Sequence, residues 1–247
     1  MMIGERHRRI LEELKKNPQI TVRELSQLLF VSEPTVRRDF TELHRKGIIT
    51  KKYGGAILNQ GAADREIPFF LRENEKTSVK AEIGKRAADL VQDGMVVMLD
   101  ASTSAYHLVP YLARHKNLIV ITSGAKTAVA LAEANIRTFC TGGQMLIHSF
   151  SYVGEQAEQF VRQINADLLF FSVAGVDLNG QMSDRAVEEA NLRKVMFGSC
   201  KKKILLCDSS KFGKTYFYNM GNIREIDGII SESPLPVELE KILSTKT

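Results

Sequence analysis

Apolar residues recur at helical spacing in three short runs near the start of the chain. Ile10, Leu11 and Leu14 form the stripe of a first helix over about residues 5–16. Asn17-Pro18 closes it, because proline disfavours a helical conformation in the residue before it. Val22, Leu25, Leu28 and Leu29 face inward from a second helix, opened by Thr21 and Glu24 as the two side chains of a capping box. Val36, Phe40 and Leu43 mark a third, with Ser32 as N-cap and Pro34 where a missing N–H costs nothing. Arg45-Lys46-Gly47 ends it, basic side chains at the carbonyl end followed by a glycine free to turn left-handed. Ile48-Ile49-Thr50 and Ala56-Ile57-Leu58 then read as a hairpin around Lys51-Lys52-Tyr53-Gly54-Gly55.

Residues 59–74 mix Gly, Ala, charges and a proline, the composition of a linker, and Phe69 and Phe70 are expected to dock on a domain. From residue 75 the period changes. Helices are expected over 76–91, 104–113, 125–134, 154–163, 186–198 and 236–243. Strands are expected over 95–100, 118–122, 136–141, 168–173, 204–207 and 228–230. This alternation predicts an α/β fold, a mainly parallel sheet with helices on both faces. A chain of 247 residues suits two domains, 1–58 and 75–247, joined by 59–74.

Composition narrows the setting. No run approaches the roughly 20 apolar residues of a membrane span, and MMIGERHRRI has no signal-peptide core, so a cytoplasmic protein without membrane association is expected. Cys140, Cys200 and Cys207 lie far apart in apolar surroundings and read as buried thiols, with no zinc pattern. Charge is placed unevenly. Residues 1–58 hold 12 lysines and arginines against 7 acids, which is the whole excess of +5, and residues 59–247 hold 22 against 22. That asymmetry is what a nucleic-acid module joined to a neutral domain shows, and a merely solvated surface is also compatible with it.

Two short helices with a tight turn, the second basic, make a helix-turn-helix whose second helix enters the major groove, with the hairpin as its wing. Ser32, Glu33, Thr35, Arg37, Arg38 and Thr41 on that helix, with Lys51, Lys52 and Tyr53 on the wing, are the candidate contacts to double-stranded DNA. One such helix reads few base pairs, so a homo-oligomer, dimer or higher, is expected. In the second domain, small polar residues collect after the strands: Asp100-Ala101-Ser102-Thr103-Ser104, Thr122-Ser123-Gly124, Thr141-Gly142-Gly143 and Asp208-Ser209-Ser210-Lys211. Open α/β sheets bind ligands at that edge. Hydroxyls, free amides and a lysine suit a phosphate. Asp100, Ser102, Thr103, Ser104, Thr122, Ser123, Gly142, Gly143 and Lys211 are therefore the candidate effector site.

The run Arg6, Ile10, Leu14, Ser32 and Thr35-Val36-Arg37-Arg38-Asp39-Phe40, followed by Tyr53-Gly54-Gly55-Ala56, is similar to the signature of the DeoR family of bacterial regulators. The segments 171–177, Glu188-Glu189-Ala190, Met196 and 208–212 resemble that family's sensor domain. The resemblance implies a fold related to ribose-5-phosphate isomerase and a phosphorylated sugar or related metabolite as effector. It also implies a transcriptional regulator, a repressor of a carbohydrate operon, with no cofactor and no catalysis. Two departures stand out. The family's usual Asp-x-Gly-Thr-Thr is here Asp100-Ala101-Ser102-Thr103-Ser104, and its usual Thr-Asn is Thr122-Ser123. A side chain in place of glycine narrows the loop, and losing an amide removes a donor.

Other signals carry less. Gly213-Lys214-Thr215 lacks the first glycine of a P-loop, since position 208 is Asp. His7, His44, His107, His115 and His148 do not pair at metal spacing, so no metal is expected. Lys201-Lys202-Lys203 reads as a solvated helix end. Asp100, Asp177, Asp184, Glu188 and Glu189 are acids and bases suited to an isomerase, the rival reading.

Overall fold

The computed structural model describes residues 3–17, 20–45, 47–58 and 68–245. Pro18, Lys46 and residues 59–67 of the expected linker lie outside them. The chain divides into two compact units, Met1–Glu75 and Lys76–Thr247.

The first unit contains α1 (Ile3–Lys16), α2 (Val22–Leu29), α3 (Glu33–Arg45), the antiparallel hairpin β1 (Ile49–Lys52) and β2 (Gly55–Leu58), and α4 (Phe69–Glu73). The capping box at Thr21 and Glu24 forms as expected, Glu24 N–H reaching Thr21 Oγ1 at 3.2 Å and Thr21 N–H reaching Glu24 at 2.7 Å. All the stripes converge, with Ile10, Leu14, Leu25, Leu29, Val36, Phe40 and Leu43 buried in one core. Leu28 is the exception and is exposed. The end of the expected linker is also built into this unit. Leu71 of α4 is fully buried in the same core, Phe70 packs against it, and Phe69 is buried.

Lys76 opens the second unit and its helix α5 (Thr77–Ala88). There follow β3 (Val96–Leu99), α6 (Thr103–Tyr106), α7 (Val109–Leu112), β4 (Ile119–Thr122), α8 (Ala125–Glu133) and β5 (Arg137–Cys140). A hairpin, β6 (Gln144–Leu146) and β7 (Ser151–Val153), leads to α9 (Glu155–Arg162) and β8 (Ala166–Phe171). Next come β9 (Gly175–Val176), β10 (Gln181–Asp184), α10 (Val187–Gly198), β11 (Cys200–Leu206), β12 (Tyr218–Asn222), β13 (Gly228–Ile230) and α11 (Val237–Ser244). Six strands form one wholly parallel sheet in the order β13-β11-β8-β3-β4-β5. Successive strand residues serve opposite faces. Met98, Leu169, Phe171 and Leu205 pack with α9, α10 and α11, whereas Val97, Leu99, Leu168, Phe170, Ile204 and Leu206 pack with α5, α6, α7 and α8. Burial on both faces is why these strands read as continuous apolar runs.

Several expectations change. The helix over 104–113 is two short helices, because Pro110 has no N–H to continue the first ladder. Gly84 of α5 closes on the break, where a Cβ would meet the His107 carbonyl at 2.6 Å. The three-stranded antiparallel sheet β12-β10-β9 and the β6–β7 hairpin were not foreseen. Their strands are only two to five residues long, too few to show a period. Lys201-Lys202-Lys203 lies within β11 rather than at a helix end, and Lys201 pairs with Asp167 at 2.8 Å. Cys207 is buried, its thiol pushed up to about 12 by burial, but Cys140 on edge strand β5 is exposed.

Candidate functional site

In the first unit, helix α3 turns Val36, Phe40 and Leu43 inward, which leaves Arg37, Arg38 and Thr41 exposed on its outer side. Ser32 is exposed, while Glu33 and Thr35 are half-buried. Ser32 Oγ and Thr35 Oγ1 lie 2.9 Å apart, and Arg37 Nη2 reaches Glu33 Oε2 at 3.3 Å. Thr41 Oγ1 donates to the Arg37 carbonyl at 2.8 Å and accepts from Lys51 Nζ at 2.7 Å, which ties the wing strand to the recognition helix. Lys52 and Tyr53 are exposed at the hairpin turn. The turn itself is clamped to α2, since Val22 N–H donates to the Gly54 carbonyl at 2.8 Å. Only a glycine fits at position 55, where a Cβ would come within 2.8 Å of the Ile20 carbonyl.

What aims α3 is a buried polar knot that the reading of the sequence did not anticipate. Asp39, on the buried side of α3, accepts a two-pronged bond from Arg6 of α1 at 2.5 and 2.8 Å, and His7 Nε2 lies 3.0 Å away. Burial by itself would raise the Asp39 carboxyl. Hydrogen bonds from Arg6 and His7, with their charges, outweigh that and hold it below the usual carboxylate range. A planar guanidinium fork fixes both distance and rotation between two helices. Arg6 and Asp39 were visible only as letters of a signature. The turn before α3 is equally specific, with Phe30 in the left-handed region at φ 54° and its side chain exposed.

In the second unit the parallel strands bring their carboxyl ends to one edge. Asp100, just past β3, is the hub. Its Oδ1 accepts from Ser102 N–H at 3.0 Å, its Oδ2 accepts from Ser172 N–H at 3.0 Å, and Arg193 Nε of α10 lies 3.3 Å from Oδ2. Lys211 Nζ donates to Ser172 Oγ at 2.7 Å, so it joins the hub through Ser172. Ser102 Oγ caps α6 by accepting from Ala105 N–H at 3.1 Å. Arg193 also bonds Asp184, and Glu189 at 3.1 Å. Burial lowers the affinity of this guanidinium for its proton, but Asp184, Asp100 and Glu189 outweigh it and keep Arg193 charged. Asp184 is the mirror case. Burial would raise it, and the Arg193 charge and hydrogen bond, helped by Arg185 N–H, hold it down.

Beside the hub is a narrow cleft lined by Ala101, Ser123, Ser151, Glu189, Leu192 and Arg193. Thr103 and Ser104 are buried in α6 nearby in sequence, and Thr122 spends its hydroxyl on the Gly124 amide at 3.0 Å. The buried hydroxyls of Ser104, Thr127 and Ser149 have no hydrogen-bond partner among the described residues. Thr127 Oγ1 is close to Gly124, where a Cβ would stand 2.9 Å from it and 3.1 Å from Ala101 Cα. The two glycines of the 141–143 loop differ. Gly142, at φ 70°, faces open space, whereas Gly143, at φ 98°, is packed so that a Cβ would meet the Val153 carbonyl at 2.5 Å. The sequence reading thus included Asp100, Ser102, Ser123 and Lys211, which the structure connects or places at the cleft. It missed Arg193 and Ser172 as parts of the site. A basic residue four positions after Glu189 on an otherwise buried helical face was the available signal for Arg193.

Residues 6–62 match the DeoR-like helix-turn-helix domain and residues 75–233 match the DeoR C-terminal sensor domain. This chain belongs to the DeoR family. An uncharacterized HTH-type transcriptional regulator of Bacillus subtilis, YulB, is 33% identical over 100% of this chain and 95% of its own length. The glycerol-3-phosphate regulon repressor of Escherichia coli is 26% identical over 97% of this chain and 95% of its own. Among solved structures, a ribose 5-phosphate isomerase from Plasmodium falciparum aligns over 56% of this chain and 54% of its own, at 16% identity and a TM-score of 0.42. As a member of the DeoR family the protein is a DNA-binding transcriptional regulator, which supports the regulatory reading over the isomerase reading of its acidic residues. Four of those five acids are also committed elsewhere. Asp177 accepts the Asn179 and Gln181 amides, Asp100 and Glu189 lie against Arg193, and Asp184 is held ionised beside the same guanidinium, whereas Glu188 is exposed at the start of α10. Among the described residues no group of side chains is arranged to hold a metal ion, and no helix is long and apolar enough to cross a membrane.

Proposed function

We propose that this DeoR-family regulator represses a carbohydrate operon in the cytoplasm, binds its operator as a homo-oligomer, and is released by a phosphorylated sugar or related metabolite held at the β3, β4 and β11 ends. The observation that carries the effector reading is the set of buried hydroxyls of Ser104, Thr127 and Ser149 with no partner among the described residues, beside which stands the separate cleft lined by Ser123 and Ser151. Leaving a buried hydroxyl without a partner costs about 1–3 kcal/mol, so several such hydroxyls are better retained where a ligand supplies their partners. Hydroxyls and amides suit a phosphate, and the Glu189 carboxylate in the cleft wall suits the hydroxyls of a polyol. A phosphorylated polyol is also what the name of the glycerol-3-phosphate regulon repressor carries.

The test is an operator gel-shift titration with a panel of sugar and polyol phosphates, using parent and Lys211→Ala. One compound should release the parent, and Lys211→Ala should bind operator normally but resist that compound. Release of both proteins at the same concentration removes Lys211 from the effector site. A panel that never releases the parent refutes the phosphorylated-sugar class.

A further inference from the structure

The chain passes from the first unit to the second in two residues. Helix α4 ends at Glu73, and Lys76 opens the second unit, so only Asn74 and Glu75 intervene. Lys76 adopts φ 50° and ψ 41°, a left-handed conformation uncommon for a residue with a side chain. Its carbonyl accepts from Lys80 N–H at 2.9 Å to start α5. Its ammonium crosses 132 positions of sequence to donate to Asp208 Oδ1 at 2.6 Å and also to Ser210 Oγ. Asp208 is buried and also accepts from Ser210 Oγ at 2.5 Å. These residues form the loop after β11 that carries Lys211, which bonds Ser172 and so reaches Asp100.

We propose that the Lys76–Asp208 bond is the latch through which the effector loop controls the DNA-binding unit, with Lys76 as the positioning residue of operator binding. This rests on the effector reading above. An anionic metabolite drawn to Lys211 and the Ser210 hydroxyl competes with the Asp208 carboxylate for the same ammonium, which is 43% exposed and therefore reachable. Its arrival loosens the latch, and a two-residue joint passes the shift of Lys76 to α4, whose Leu71 is part of the DNA-binding core. By linkage, anything else that opens the latch acts like the effector.

Full-length parent, Lys76→Met, Asp208→Asn and Lys76→Arg are compared for operator affinity without metabolite, for release by the sugar-phosphate panel, and for thermal midpoint. Lys76→Met and Asp208→Asn should bind operator about tenfold more weakly with no metabolite present and lose most of the further response, within the usual span of allosteric coupling. Lys76→Arg keeps the charge and should bind as the parent does. Lys76→Met binding operator like the parent overturns the latch. So does a loss of affinity matched by a collapse of the thermal midpoint, since that is damage to folding rather than to coupling. If no panel compound releases the parent while Lys76→Met still binds weakly, the effector class is wrong and the latch stands.

Discussion

Arg193→Met removes the positive charge that pairs with Asp100, Asp184 and Glu189 and leaves a side chain of similar length. All four residues are almost fully buried. Breaking a buried ion pair from one side costs about 3–5 kcal/mol, because the partner stays buried without its countercharge. For a unit of this size each kcal/mol moves the midpoint by about 2–4 °C, so the variant should melt roughly 6–20 °C below the parent at neutral pH. The pH dependence is the sharper test. In the parent, Asp184 is held below its ordinary value, so its contribution is present above the unfolded carboxylate pKa and is lost only as pH falls through the lower folded value. In the variant burial, the largest influence on Asp184, is opposed only by the Arg185 N–H bond and the more distant Lys211 charge, so the carboxyl rises and the folded state takes up a proton before the unfolded state does. The variant therefore gains stability relative to the parent on acidification from about pH 7 to about pH 4.5. Thermal unfolding followed by circular dichroism at both pH values measures the gap. A gap that is the same at both would mean that poorer packing, not stranded charge, causes the defect.

Other outcomes follow from single side chains. Arg37→Ala should cost on the order of 1–3 kcal/mol of operator affinity and relax preference at one base position, read by binding to a set of singly substituted operators. Its exposed pair with Glu33 is worth about 0–1 kcal/mol, so stability should scarcely change. Lys51→Ala and Lys52→Ala should weaken binding to all sequences alike and reduce the slope of log affinity against log salt by about 0.9 for each phosphate no longer neutralised. Slopes equal to the parent's would remove the wing from the interface. Gly143→Ala forces a Cβ against the Val153 carbonyl at a positive φ and should destabilise the protein by more than about 1–3 kcal/mol in denaturant unfolding. A variant as stable as the parent would show that this loop is free to move.

Much of the architecture was written locally. Helices α1, α2 and α3 were legible because each buries one stripe at helical spacing against the same core. The central strands were legible because burial on both faces demands unbroken apolar runs. Lys51, Lys52, Arg37 and Arg38 could be assigned to the outer surface of the DNA-binding unit for the same reason, since positions off an apolar stripe face outward. The alternation of elements also pointed to one edge of the sheet as the proposed effector edge, because strands running one way end on one side.

What sequence alone could not determine is which distant residues meet. Arg6 and Asp39 are 33 positions apart, Asp100 and Ser172 are 72, and Lys76 and Asp208 are 132. Each pairing depends on how helices rotate and strands order, and no local periodicity records that. Arg193 was missed for this reason: its spacing from Glu189 was a local signal, but a buried charge makes sense only beside the three carboxylates that keep it ionised. The end of the expected linker was misread on the same ground, since Leu71 has little to distinguish it from an exposed leucine until α1 supplies the other half of its core. Local spacing determined which elements form and which faces they bury; only the tertiary structure decided which polar side chains those faces bring within bonding distance, because that depends on segments far apart in the chain.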